Sequence, residues 1–176
     1  MKTICTVAIA ATCMALGVGV GFAAKPVPPG ISVIQNKPNN EAGLAALAAA
    51  EQLAGAGSWE TLAVGRVYLL SGDKAKAQTL FDRVMSGKQN GSDWERLGDI
   101  YAETGDKAKA EECYQKMLAL NPKDDTGQAH VGAWYLRNGD RAKGEELLGK
   151  ALQLHPDEMW TYLKAAEALL GVPAGH

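Results

Sequence analysis

Aromatic residues make up only 6% of this 176-residue chain, whereas apolar residues make up 47%, much of it alanine. That balance disfavours a strand-rich core and favours helices in close contact. No sign of charge is in excess, the formal net charge being -2. Without a cationic field, neither nucleic acid nor an anionic membrane is an expected partner. Cysteine is scarce as well. Of the 3 cysteines, Cys5 and Cys13 lie in an apolar amino-terminal stretch, so Cys113 stands alone in the remainder and cannot form an internal disulfide. Stability must then come from packing, and Cys113 reads as a small hydrophobe on a helix.

The constellations of catalysis are also missing. The sequence has no Gly-rich phosphate loop ending in Lys-Ser/Thr, no His-Glu-x-x-His, no Cys-x-x-Cys and no nucleophile elbow. His130, His155 and His176 share no metal-ligand spacing. No catalytic residue, no cofactor and no metal are therefore expected.

Long apolar runs are confined to the amino terminus. Lys2 precedes an uncharged apolar stretch from Ile4 to Phe22, and Gly21-Phe22-Ala23 supplies small residues at a cleavage point. This pattern is that of a bacterial secretory signal, residues 1–23, cut after Ala23, which places the mature chain in the periplasm or outside the cell with no stable membrane insertion. The rival reading is an uncleaved anchor, for which the run is just long enough. Its glycines and alanines make it weakly hydrophobic and favour cleavage. Residues 24–39 carry Pro26, Pro28, Pro29 and Pro38, a density that helix interiors exclude, so an extended linker is expected. Its apolar patch, Ile31 to Ile34, reads either as a docking strand or as solvated linker.

Beyond the linker, self-similarity dominates. Gly72-Asp73-Lys74-Ala75-Lys76-Ala77 recurs from Gly105 and again, with Arg141 and Gly144 substituted, from Gly139, at spacings of 33 and 34 residues. Glycine closes one helix in the left-handed region and aspartate caps the next, so each unit reads helix, tight turn, helix. Apolar residues at helical spacing mark facing stripes, with Trp94, Leu97, Gly98 and Tyr101 on one helix and Ala110, Tyr114, Met117 and Leu118 on its partner. Small residues at Gly65, Gly98 and Gly132, and at Ala77, Ala110 and Gly144, let paired helices approach closely.

The series Trp94, Leu97, Gly98, Tyr101, Gly105, Asp106, Ala110, Tyr114, Pro122 resembles the tetratricopeptide-repeat (TPR) signature almost in full. The resemblance covers repeats at 58–90, 91–124 and 125–158. The third has Gln128 where the family usually has tryptophan, and the first lacks the closing proline and is one residue short. Half-repeats at 39–57 and 159–170 flank them, followed by a tail at 171–176. The expected fold is thus an all-α solenoid of three helix pairs with capping helices, eight helices over residues 40–170.

The resemblance implies a protein-binding module whose first helices line a concave groove for a peptide or partner protein. On it, Trp59, Leu62, Arg66 and Leu69 would face the groove from the first repeat and Glu95, Asp99 and Glu103 from the second. Thr126, Ala129, Ala133 and Arg137 would follow from the third, and Trp160, Leu163 and Glu167 from the last helix. Glu95, Asp99 and Glu103 are spaced four apart and form an acidic stripe. That stripe either attracts a cationic peptide or is neutralised by Arg66 and Arg137. Trp59 and Trp160 would mark the groove's ends. The recurrent Lys74 and Lys76, Lys107 and Lys109, and Arg141 and Lys143 form a basic ridge, read either as solvated duplication or as an adaptor for anionic envelope polymers. A scaffold or chaperone-like role in the envelope is the main expectation, and self-assembly into a homo-oligomer is the second.

Overall fold

The computed structural model describes residues 28–173. The expected signal, the start of the linker and the last three residues, with Cys5, Cys13 and His176, lie outside the described residues. Eight α-helices follow one another: α1 Asn39–Ala54, α2 Ser58–Leu70, α3 Lys74–Met85, α4 Gly91–Glu103, α5 Lys107–Leu120, α6 Asp125–Arg137, α7 Arg141–Leu154 and α8 Met159–Leu170. Among the described residues there is no strand, and the expected solenoid is what forms. The apolar patch of the linker makes a 3-10 turn at Ile31–Val33, which the Ser32 hydroxyl secures by donating to the Pro29 carbonyl at 2.9 Å. The docking-strand reading of that patch is thereby corrected.

The turns within pairs are built alike. Gly72, Gly105 and Gly139 take φ values of 98, 80 and 85°, a region that only glycine enters without strain. The following aspartates donate their backbone N–H to Tyr68, Tyr101 and Tyr135 at 2.9, 2.9 and 3.0 Å, closing the first helix. Their carboxylates then accept from the N–H of Lys76, Lys109 and Lys143 and cap the second. Each of these lysines folds back over the tyrosine, with Nζ 5.9, 4.9 and 4.9 Å from the ring centroid. The recurrence of lysine in a helix's first turn, which opposes the helix dipole, therefore has a tertiary cause. Lys76 and Lys143 also reach Glu51 and Glu111 on the preceding repeat, each at 2.8 Å. Two of the six residues of the expected basic ridge, Lys76 and Lys143, thus hold repeats together, and Lys109 is engaged within its own pair.

Pairs close by interlocking glycine with a bulky side chain. A Cβ at Gly65 would lie 2.5 Å from Phe81, and one at Gly98 would lie 2.6 Å from Tyr114, so these rings fill the space that a side chain would need. In the third pair the roles soften, since Leu148 stands at 3.0 Å from the same position of Gly132. Phe81, Tyr114, Met117 and Leu62 are among the most deeply buried side chains. Cys113 is buried in the same core, and burial pushes its thiol up to about 11, which suits an inert small hydrophobe. Gln128, in the tryptophan position, is buried too and donates to the Pro122 carbonyl at 2.7 Å, anchoring the loop between α5 and α6. The short loop without proline is secured by a capping box, Asn90 and Asp93 each accepting from the other's backbone at 3.0 Å.

Gly98→Val should cost about 1–3 kcal/mol because the added atoms overlap a ring that is packed on every side. Gly43→Ala, whose Cβ would meet open space, should instead gain up to about 1 kcal/mol of helix propensity. Urea denaturation of both variants checks the pair; equal effects would contradict the interlock.

Candidate binding groove

The first helices of the pairs, α2, α4 and α6, and then α8, share one side of the molecule. α2 packs on α4 and α6 on α8, whereas α4 and α6 stand further apart. Aromatic rings fill the interval at its base, with Tyr114 of α5 meeting His130 and Trp134 edge to face at centroid distances of 5.6 and 5.2 Å. Above this wedge a groove of about 740 Å³ opens.

Helical geometry and the repeat period decide what lines it. One register position contributes Ala63, Arg96, His130 and Lys164 from the four successive helices. Another contributes Arg66, Asp99, Ala133 and Glu167. Ile100, Trp134, Glu103 and Arg137 complete the walls, and Pro173 closes one end, where the tail turns inward after Gly171.

Most of the charges lining the groove pair with one another. Arg66 grips Glu103 with two guanidinium nitrogens, and Arg137 approaches Glu167 at 3.6 Å. Asp99 accepts from the Tyr114 hydroxyl at 2.7 Å and meets His130 Nε2 at 2.8 Å; the other ring nitrogen of His130 is 4.0 Å from Glu95. Burial works against charge on Asp99, but the bonds and charge from His130, the Tyr114 hydroxyl and the Arg96 guanidinium outweigh it and hold the carboxyl below the usual aspartate range. The same arrangement drives the Tyr114 hydroxyl far up, burial acting first and the Asp99 carboxylate second.

The neutralised reading of the acidic stripe is the one that the geometry carries, with a change of partner: Arg66 takes Glu103, His130 takes Asp99, and Arg137 is turned to Glu167 instead. Two cations of the lining, Arg96 and Lys164, have no carboxylate at ion-pair distance among the described residues. Arg96 lies 4.9 Å over the Trp59 ring, which braces it at the groove's rim.

Of the residues expected to face the groove, Arg66, Asp99, Glu103, Ala133, Arg137 and Glu167 line it. Glu95 and Trp59 stand at its edge through His130 and Arg96. Leu62 and Ala129 do not face it; each is essentially unexposed, Leu62 in the main core and Ala129 in a smaller cluster with Leu148 and Ala151. Leu69 lines a separate, smaller cavity with Phe81 and Tyr101. Thr126, Trp160 and Leu163 are exposed outside the lining, so Trp160 does not mark a groove end. The residues missed, Arg96, His130 and Lys164 above all, sit one position after Glu95, Ala129 and Leu163. A phase error of one residue on a helix, about 100°, separates the two rows. In the first, Leu62 and Ala129 are buried while Glu95 stands at the groove's edge and Leu163 is exposed; in the second, Ala63, Arg96, His130 and Lys164 all line the groove.

Residues 92–124 match the tetratricopeptide repeat family. The crystal structure of MamA is similar to this chain with a TM-score of 0.52 and 19% identity, over 75% of this chain and 80% of that one. That of YrrB, described as a TPR protein with an unusual peptide-binding site, aligns over 80% of this chain and 76% of its own at 17% identity, and its TM-score of 0.49 is too low to carry weight. No curated protein matches the chain. The family match supports a TPR repeat in the middle of the chain, and the structural likeness shows the fold alone.

Because folding favours the charged form of Asp99, its contribution to stability is complete above the carboxyl's ordinary range and is lost as pH falls through and below about 4. Asp99→Asn should be less stable than the parent at neutral pH, and the difference should vanish in acid. Urea titrations at a series of pH values would show it; a difference that does not change with pH would contradict the assignment.

Proposed function

We propose that this solenoid of TPR fold is a binding module that holds an acidic, partly apolar polypeptide segment in its concave groove. The observation that carries the reading is that Arg96 and Lys164, which line the groove with Ile100 and Trp134, have no carboxylate at ion-pair distance among the described residues. The lining's carboxylates already have cationic partners or His130 beside them, so an acidic guest gains two ion pairs without displacing an existing one. A cationic guest would have to break Arg66 from Glu103 first. The groove's apolar wall supplies desolvated contact, and the exposed charges set orientation and partner choice.

The seat of action belongs to the same proposal. The amino-terminal signal pattern supports a mature chain in the bacterial envelope, where a scaffold or chaperone-like receptor of this kind would act on another envelope protein. Among the described residues no helix is long and apolar enough to cross a membrane, and no group of His, Cys, Asp and Glu is placed to hold a metal ion. The adaptor reading, in which a basic ridge holds anionic polymers, is weakened by the engagement of Lys76, Lys109 and Lys143 over tyrosine rings.

Fluorescence polarisation with labelled peptides of equal length and graded charge tests the reading. Acidic peptides containing aromatic or aliphatic residues should bind best and weaken with salt. The double variant Arg96→Ala, Lys164→Ala should reduce their affinity roughly tenfold, about 1.4 kcal/mol. Preference for cationic peptides, or an unaltered affinity in the double variant, would overturn it. Recovery from the periplasmic fraction of a chain whose mass lacks residues 1–23 tests the location; an intact amino terminus would favour an anchor.

A further inference from the structure

The repeat register shows that the described chain opens with a second-type helix and closes with a first-type helix. In each complete pair, the position held by Gly65, Gly98 and Gly132 is buried against the second helix. In α8 that position is Ala166, and it is exposed. The next such position is Leu136 in the third pair, where a Cβ on Gly144 would lie 2.6 Å from its side chain. Its counterpart in α8, Leu170, is 77% exposed, and Tyr162, the counterpart of Trp94 and Gln128, is 53% exposed. The charged residues of α8, Lys164 and Glu167, point into the groove, so the face awaiting a second helix carries no charge.

The other end has the complementary gap. Ala77, Ala110 and Gly144 are buried under the first helix of their own pair. Gly43, at the same register in α1, is exposed and would admit a Cβ freely. Leu44 is 51% exposed where the other second helices carry Gln78, Glu111 and Glu145. A terminal repeat that ends a solenoid needs a polar outer face, and among the described residues neither α1, on which the Ile31–Val33 turn packs, nor α8 presents one. Up to Pro173 the tail does not cover α8, because Val172 N–H returns to the Glu167 carbonyl and Pro173 turns to the groove.

We infer that α8 of one copy and α1 of a second copy complete a TPR helix pair, joining molecules head to tail. The contacts follow from the pairs already in the chain: Leu136 against Gly144 becomes Leu170 against Gly43 of the next copy, and Ala166 takes the place of Gly132 beside it; Leu47, the counterpart of Leu148, is already buried within its own copy. Both faces are apolar, and the occupant of each is the half-repeat that the other displays. The interface is heterologous, so association is open-ended, giving a filament, or a ring if the rotation closes.

Analytical ultracentrifugation of the protein tests this. The parent should show a mass that rises with concentration beyond that of a dimer. Leu170→Glu blocks one end and Gly43→Glu the other; both sites are exposed, and circular dichroism should show unchanged helix content. Each variant alone should be monomeric, and a mixture of the two should form a one-to-one dimer that grows no further, because each retains the end that the other has lost. A parent that stays monomeric would overturn the inference, as would variants that associate alone or a mixture that stays monomeric. Conservative Gly43→Ala, which reproduces Ala77 and Ala110, should leave association intact. Arg96→Ala with Lys164→Ala should leave it intact as well, which separates this interface from the groove.

Discussion

The close approach of paired helices, in which a glycine of the first receives a bulky side chain of the second, is the constraint on which the rest depends. Tyr114 can lie against Gly98 only because no side chain occupies that position. From there it does three further things: it fills the wedge between α4 and α6, offers its hydroxyl to Asp99 and supports the Trp134 wall of the groove. A helix glycine that costs about 1 kcal/mol against alanine is thus offset by packing that reaches the binding surface. The turn that joins the helices works in the same direction. Aspartate, lysine and tyrosine are linked around each Gly-Asp step, which holds the two helices of a pair to one another.

Much of this was legible in the sequence. The Gly-Asp steps marked the turns, the 33- and 34-residue spacing marked the repeat, and the apolar stripes marked the faces that pack. The groove was legible in its period and not fully in its phase. First helices are buried on two sides, against their own partner and against the neighbouring repeat, so the face left for a guest is narrow. Alanine occurs on both faces: Ala129 is core and Ala63 is groove, and nothing in the residue type separates them. Charge did not settle the phase either: Arg66, Asp99, Glu103, Arg137 and Glu167 line the groove as expected, whereas Arg96, His130 and Lys164, one position further on, were not foreseen.

Ion pairing between repeats was the least legible layer, because it depends on the rotation from each pair to the next. The sequence presents Glu95, Asp99 and Glu103 as one acidic face. In the folded chain Arg66 and His130 come to that face from either side, and Arg96 and Lys164 are the cations of the lining left without an ion-pair partner among the described residues. The same rotation brings Lys76 and Lys143 to Glu51 and Glu111 of the preceding repeat, while their cover of a tyrosine is set by the turn within the pair. It also leaves the two half-repeats as the only helices whose packing faces remain open among the described residues. One end bears Leu170 and the other Gly43, so a surface that reads as an imperfect cap also reads as half of a joint.

The most direct test of the account is where an acidic guest touches the protein. In a two-dimensional NMR spectrum the indole N–H signals of Trp59, Trp94, Trp134 and Trp160 report four separate places. Trp134 lies in the groove, Trp59 braces Arg96 at its rim, and Trp94 is held on another face under Lys116 at 4.4 Å. The account predicts that titration with an acidic, partly apolar peptide shifts Trp134 and Trp59 while Trp94 stays in place. Movement of Trp94 with Trp134 unmoved would contradict it.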